Sequence, residues 1–374
     1  MPALAYLDCN ATAPLRPEGR AAMSAAMDLG GNPSSVHRAG RLARRVIEDA
    51  RADVASLAGC GTGEVVFTSG GTEANWQAIA GAVRKARVRR ILISAIEHPC
   101  IAAAADASGL PVETVPVSAA GVADLPALAE CLAADSGPAL VCLMAANNET
   151  GVVQPVAEAA ALVRAHGGCL HVDAVQAAGK LSLAPFHAAD TLAFSAHKLG
   201  GPTGVGALII RDPEAVAPVI GGGGQEMRRR AGTENVPGIA GFGAAAAAAA
   251  KGDAGAGRLR DEAERRARAV AAATGHAVRV AGEDAPRLPN TSCLAFEGVK
   301  AETLVMALDL AGVCVSAGSA CSSGKVQRSH VLAAMGWNDA LAESAIRLSF
   351  GWASTMNDVD RFAAALETAL TRMR

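Results

Sequence analysis

The sequence predicts an α/β protein: a large domain on a mostly parallel sheet, followed by a smaller α+β domain. Three observations carry this. Short apolar runs alternate with Ala-rich stretches of helical length over the first two thirds of the 374 residues, the rhythm of βαβ units. Glycines and polar turn residues follow directly after several of those runs, where an open parallel sheet keeps its functional loops. After KGDAGAG (251–257), a plausible boundary, the order of strands and helices changes.

The elements follow in chain order. EVVFTS (64–69) reads as a strand and is followed by a helix from about Glu73. RRILISA, PVETVPV, ALVCLMA, CLHVDAV, TLAFSA and GVGALII read as further strands, with helices between the first of them. GGGGQEMRRRAGTEN (221–235) reads as a flexible segment because of its glycines, and Pro237 to Ala250 as a helix built for close packing. RLRDEAERRARAVAAATG (258–275) reads as a charged amphipathic helix, followed by strands HAVRVAG, NTSCLAF and AIRLSF. No repeat of 20–50 residues is visible.

Composition excludes several classes. With 51% hydrophobic residues, 19% charged residues and a formal charge of −2, the chain has a large core and no basic field for nucleic acid. RKARVRR (84–90) and MRRR (227–230) are short and read as solvated faces. MPALAYLDCN lacks the features of a signal peptide, and no segment is a convincing membrane span, so the expectation is a cytoplasmic protein. The nine cysteines form no C-x-x-C pair and no ligand spacing with the eight histidines, so neither zinc nor a disulfide framework is expected. Most sit in apolar runs as small buried hydrophobes. Cys321 differs, because SAGSACSSG (316–324) is too polar and glycine-rich to form core.

Several turns carry candidate chemistry. In FTSGGTEAN, Gly71 and Thr72 stand where a strand gives way to a helix, so backbone N–H groups and the helix dipole favour a phosphate; a plain turn capped by Thr72 is the alternative. No lysine follows the second glycine, which excludes a Walker A loop. His98, just past a strand, is placed to stack on a planar ligand and handle protons, or is structural. Asn147, Asn148 and Glu149 follow one strand, and Asp173 and Gln176 close another. A carboxylate such as Asp173 either caps the next element or keeps a pyridine nitrogen protonated, so that the ring accepts electrons. Lys198 follows TLAFSA beside Ser195 and His197, with Gly200, Gly201 and Gly204 leaving room for a ligand. It is either a solvated surface lysine or a partly desolvated amine able to form a Schiff base.

Ten segments stand in the order and spacing of one family: YLDCNATAP, GNPSSVHRAG, FTSGGTEAN, EHP, NNETG, HVDAVQ, SAHKLGGPTGVGAL, GGGGQEMRRRAGTEN, SAGSACSSG and AIRLSFG. Together they resemble the cysteine desulfurases of the NifS/IscS branch, in the class V aminotransferase group of fold-type I pyridoxal-phosphate enzymes. The resemblance covers nearly the whole chain. It implies a seven-stranded, mostly parallel sheet in a cofactor-binding domain (15–255) and a small domain (1–14 with 256–374) carrying the catalytic cysteine.

Residue by residue, the resemblance makes Lys198 the lysine that bonds pyridoxal 5'-phosphate and moves protons at the substrate Cα. Asp173 pairs with the pyridine nitrogen, Gln176 with the phenolic oxygen, and His98 stacks on the ring. Thr72, Ser195 and His197 hold the phosphate, aided by the Gly71 turn. Thr233 reaches the phosphate of a neighbouring subunit, which implies a homodimer. Asn148 and Arg347 fix the substrate carboxylate, although a structural salt bridge is the ordinary reading of an arginine in AIRLSF. The implied reaction takes sulfur from L-cysteine through a ketimine, giving L-alanine and a persulfide on Cys321. That sulfur passes to an acceptor protein, for iron-sulfur cluster or thiocofactor synthesis.

The chain departs from the family pattern at Cys9, Ala13 and Gly71, and at Met227 and Arg228, where arginine and glycine are usual. Neighbouring readings are a selenocysteine lyase and an aminotransferase, the latter leaving Cys321 without a task. A non-enzymatic sulfur-binding or scaffold protein would not need Lys198, Asp173, His98 and Cys321 together. A nucleotide-binding module is argued against by the missing G-x-G-x-x-G motif.

Overall fold

The computed structural model describes residues 4–134, 137–252, 255–317 and 328–373. Its central feature is a seven-stranded sheet in the order Val65–Thr68, Gly206–Ile210, Thr191–Ser195, Cys169–Asp173, Ala139–Cys142, Arg90–Ser94, Val112–Val115. Gly206–Ile210 runs antiparallel to both of its neighbours, and the remaining pairings are parallel. Six of these strands are buried along their whole length, which is why VVFT, RILIS, ALVC and GALII are apolar on both faces.

The helix after the glycine-rich segment spans Val236–Ala249 and packs on two helices, Pro17–Met27 and Arg38–Ala58, that the alternation of strands and helices does not reveal. Its small residues permit the approach: a Cβ on Gly243 would stand 2.5 Å from Ala50 Cα, and one on Gly241 would stand 2.6 Å from Met23 Cγ. Arg38–Ala58 begins with His37 accepting a hydrogen bond from the Gly40 N–H and ends at Gly59, whose φ of 61° closes the last turn.

A second sheet of four antiparallel strands follows, in the order Ser316–Ala317, Ala345–Ser349, Thr291–Phe296, Val278–Val280. Helices Ala256–Thr274, Ala301–Leu310 and Met356–Arg372 cover it and share its apolar core. The N-terminus belongs to this body by pairing, because Ala5–Tyr6 runs parallel to Val313–Cys314 and Asp8 bridges to Ser349.

The segment 221–235 departs from the flexible reading of its sequence. The buried Glu226 carboxylate accepts both terminal nitrogens of Arg51, at 2.7 and 2.8 Å, and the Phe67 N–H at 2.8 Å. Arg230 pairs with Glu73 at 2.9 Å. Glycines here serve a tight path that long-range ion pairs fix.

Candidate active site

The carboxyl ends of the strands converge as the topology requires. Strand Cys169–Asp173 delivers Asp173, whose Oδ1 accepts the Val175 N–H at 3.0 Å and whose Oδ2 accepts Asn75 Nδ2 at 2.9 Å. Asn75 comes from the helix Gly71–Arg84, so that helix is tied to the strand end beside it. A Cβ on Gly71 would stand 2.8 Å from Val175 Cγ2 and 3.4 Å from Ser195 Cβ, which brings Gly71, Val175 and Ser195 to one place. The first N–H groups of this helix lack acceptors within it, and its dipole favours an anion. The N-cap is Gly70 with no side-chain cap, so Thr72 does not play the plain capping role. Ser69 N–H donates instead to Glu73, four residues on.

Lys198 ends a short turn, Ala196–Lys198, after strand Thr191–Ser195. Its Nζ donates to the carbonyls of Asn10 and Ala11 at 2.7 and 2.8 Å. Burial and the nearby Arg347 guanidinium push its pKa down to about 8, against the pull of Asp8 and Asp173. His98 caps the helix Pro99–Asp106, its Nδ1 accepting the Cys100 N–H at 3.2 Å. Burial lowers its pKa; Asp173 opposes that shift, and Lys198 and His330 add to it. His98 is exposed at the surface, and with Nδ1 accepting, Nε2 is the nitrogen that bears the proton of the neutral ring. His197 stands with Nδ1 3.0 Å from Thr12 Oγ1, and burial followed by Lys198 and Lys180 brings its pKa to about 4.

Gln176 donates to the Asn10 carbonyl at 3.0 Å and accepts Lys180 Nζ at 2.6 Å. Arg347 pairs with Asp8 at 2.7 Å and donates to the Asn148 carbonyl at 3.1 Å, while its buried Nε has no acceptor among the described residues. The salt-bridge reading of Arg347 thus has a partner, and one N–H is left over. Thr233 is exposed in the 221–235 segment. Cys321 lies outside the described residues. After that stretch in sequence, Ser329 donates to Glu149 Oε2 at 2.6 Å, and His330 Nε2 donates to the Glu97 carbonyl at 2.9 Å.

Sequence reasoning did not find Asn75, His171, Glu97 or Asn10 as members of this neighbourhood. Asn10 meets both Lys198 and Gln176 through its carbonyl, and its Nδ2 donates to Thr291 and Asn148. Glu97 Oε1 accepts the Met144 N–H at 2.6 Å, and burial, with Asp173 nearby, raises its pKa well above the usual range. Its signal was adjacency to His98 in EHP. The others are set by contacts across many residues of chain.

Pyridoxal phosphate fits this donor set. A lysine with depressed basicity, a carboxylate oriented by two N–H donors, an imidazole and a helix N-terminus at a crowded glycine match its aldehyde, ring nitrogen, ring face and phosphate. Among the described residues no group of His, Cys, Asp and Glu has the form of a metal site.

Residues 5–362 match the family described as Aminotransferase class-V. The chain is 43% identical to a cysteine desulfurase of Cereibacter sphaeroides, over 99% of this chain and 96% of that protein. It is 39% identical to an IscS-like cysteine desulfurase of Mycobacterium tuberculosis, over 99% and 97% of the two chains. Among solved structures, a NifS-like protein from Rickettsia africae superposes with a TM-score of 0.87 at 33% identity, covering 98% of this chain and 99% of that one.

Proposed function

The chain belongs to the aminotransferase class-V family and is a pyridoxal-phosphate-dependent cysteine desulfurase, and from that premise we propose how its residues divide the work. Lys198 anchors the cofactor. Asp173 faces the pyridine nitrogen, Gln176 the phenolic oxygen and His98 the ring. Gly71, Thr72, Ser195 and His197 receive the phosphate. When bound, the cofactor supplies an aldehyde and a ring that takes up the electron pair left on the substrate Cα.

The protein's own groups handle the protons. Lys198 Nζ, near neutrality at pH about 8, takes the proton from Cα and returns it, the Asn10 and Ala11 carbonyls marking where it rests. Asp173, held by Asn75 and Val175, keeps a proton on the pyridine nitrogen. Arg347 and Asn148 orient the substrate carboxylate, Arg347 exchanging part of its present pairing for it. Cys321 as thiolate would attack the substrate sulfur: an S–S bond forms, the Cβ–S bond breaks with its electron pair kept on the carbon side, and Cβ takes up a proton to become the methyl of alanine, leaving the persulfide on Cys321. Lys198 carries this reading, a half-buried amine of lowered basicity that Asp173 acts on electrostatically.

We place residues 15–255 as the cofactor-binding domain and 1–14 with 256–374 as the domain of Cys321, supported by the Ala5–Tyr6 pairing with Val313–Cys314. A homodimer is supported by exposed Val36, Leu42, Trp76, Ile220 and Met227. Thr233 then serves the neighbouring subunit's phosphate. The acceptor is a sulfur carrier or iron-sulfur scaffold protein. We place the enzyme in the cytoplasm, where thiols such as Cys142 and Cys293 stay reduced; no described helix is long and apolar enough to cross a membrane.

The test is the visible spectrum of the purified protein, followed by alanine and sulfide assays on L-cysteine with wild type and Cys321→Ala. A yellow protein whose alanine and sulfide both depend on Cys321 is expected. Equal turnover without Cys321 would refute the assignment of the nucleophile.

A further inference from the structure

Behind Asp173 runs a chain of buried polar groups that the reaction itself does not use. Thr191 Oγ1 lies 2.8 Å from His171 Nδ1, His171 Nε2 lies 2.9 Å from Asn75 Oδ1, and Asn75 Nδ2 donates to Asp173 Oδ2 at 2.9 Å. His171 and Asn75 have no exposed surface, and Thr191 and Asp173 have 3% and 8%. The architecture explains the alignment. His171 and Thr191 are register partners on adjacent strands, and His171 and Asp173, two residues apart on one strand, share a face. The helix Gly71–Arg84 lays Asn75 across that face.

The direction of every bond in the chain is determined. A carboxylate only accepts, so the Asn75 amide must turn its nitrogen to Asp173 and its oxygen to His171. An imidazole nitrogen facing that oxygen must carry the proton, which leaves Nδ1 bare to accept from the Thr191 hydroxyl. The second amide hydrogen of Asn75 has the Cys100 sulfur at 3.4 Å. Burial brings the His171 pKa to about 3, so the ring is neutral wherever the enzyme works. An asparagine amide is nearly symmetric in shape, and the reversed orientation would set its carbonyl against the Asp173 carboxylate. Asp173 thus excludes the reversal, and His171 Nε2–H, donating to Asn75 Oδ1, anchors the far side of the amide in the orientation that Asp173 requires.

We propose that His171 is a positioning residue of the desulfurase: acting through the Asn75 amide, it holds the Asp173 carboxylate in the orientation that meets the pyridine nitrogen of the cofactor. This rests on the assignment of Asp173 above. Two fixed donors, Asn75 Nδ2 on Oδ2 and Val175 N–H on Oδ1, prevent the carboxylate from rotating. Without the imidazole, the Asn75 amide keeps only its bond to Asp173 and loses the anchor that fixes where that donor stands.

Two measurements test this. Long-range nitrogen-proton spectra of the 15N-labelled, cofactor-loaded wild type should show His171 neutral with its proton on Nε2, unchanged from about pH 5 to about pH 9. A proton on Nδ1, or titration within that range, would overturn the proposal without any variant being made. Release of pyridoxal phosphate, followed by its visible absorbance, gives the second readout. His171→Leu should weaken retention by about tenfold, the scale of a buried polar group left unpaired. His171→Gln, whose amide nitrogen can stand in for Nε2, should recover most of that loss, and Asp173→Ala should weaken retention at least as much as His171→Leu. Equal behaviour of His171→Leu and His171→Gln, with Asp173→Ala impaired, would refute the role of His171 alone. Wild-type retention in Asp173→Ala would refute the Asp173 assignment and this proposal with it.

Discussion

Lys198 has a pKa of about 8 because burial and Arg347 disfavour its charge more than Asp8 and Asp173 favour it. The free amine attacks an aldehyde and the ammonium does not. Capture of pyridoxal phosphate by cofactor-stripped protein should therefore speed up as pH rises and level off above about 8. A midpoint near that of an ordinary exposed lysine would contradict the desolvated site, and Lys198→Ala should give colourless protein without turnover. The thiols make a second case at this scale. Burial pushes Cys60 and Cys100 up to about 11 and Cys293 up to about 12, and holds Cys142 well above the usual range. A brief iodoacetamide pulse at neutral pH, mapped by mass spectrometry, should label Cys321 ahead of these four; earlier labelling of any of them would count against Cys321 as the reactive thiol. Composition alone could separate Cys321 from the apolar cysteines. It could not show Asn10 beneath Lys198, a contact 188 residues apart in sequence.

In the segment 221–235, Glu226, Met227 and Arg228 have φ of 44°, 56° and 65°, a left-handed run of three side-chain-bearing residues. Such a path is costly without glycine, and the buried Arg51–Glu226 pair holds it. Glu226→Ala should destabilise the protein by about 3 kcal/mol in denaturant unfolding, because buried Arg51 would lose its buried counter-charge and keep only the half-exposed Glu48 and the Val65 carbonyl. Arg228→Gly should instead stabilise by about 1 kcal/mol, glycine being at ease at this φ. A loss of stability in Arg228→Gly would mean that its side chain makes compensating contacts. The glycines made this segment look loose, and its actual anchor is Arg51, 175 residues from Glu226. Strands such as VVFT and GALII were legible for the opposite reason: their burial on both faces is written as uninterrupted apolar sequence.

For the whole molecule, exposed Trp76 and Met227 lie on the helix and the segment joined by the Arg230–Glu73 pair, exposed Ile220 directly precedes that segment, and Gln225 reaches Ser34 near exposed Val36. Sedimentation should give twice the chain mass, and Met227→Asp should shift the protein toward monomer with faster loss of cofactor. A wild-type monomer that keeps its cofactor would refute both the dimer and the role given to Thr233.

By itself the sequence determined the α/β class, the succession of the buried strands along the chain and the residue types proposed to bind and use the cofactor. These are local matters: apolar periodicity, glycine at turns, and a lysine, an aspartate and a histidine at strand ends. The tertiary structure decided the helices Pro17–Met27 and Arg38–Ala58, the fixed course of 221–235, and the groups that orient Lys198 and Asp173. Those depend on which polar groups meet after folding. A buried hydrogen bond is satisfied by proximity in space, and the spacing of its partners along the chain carries no trace of it.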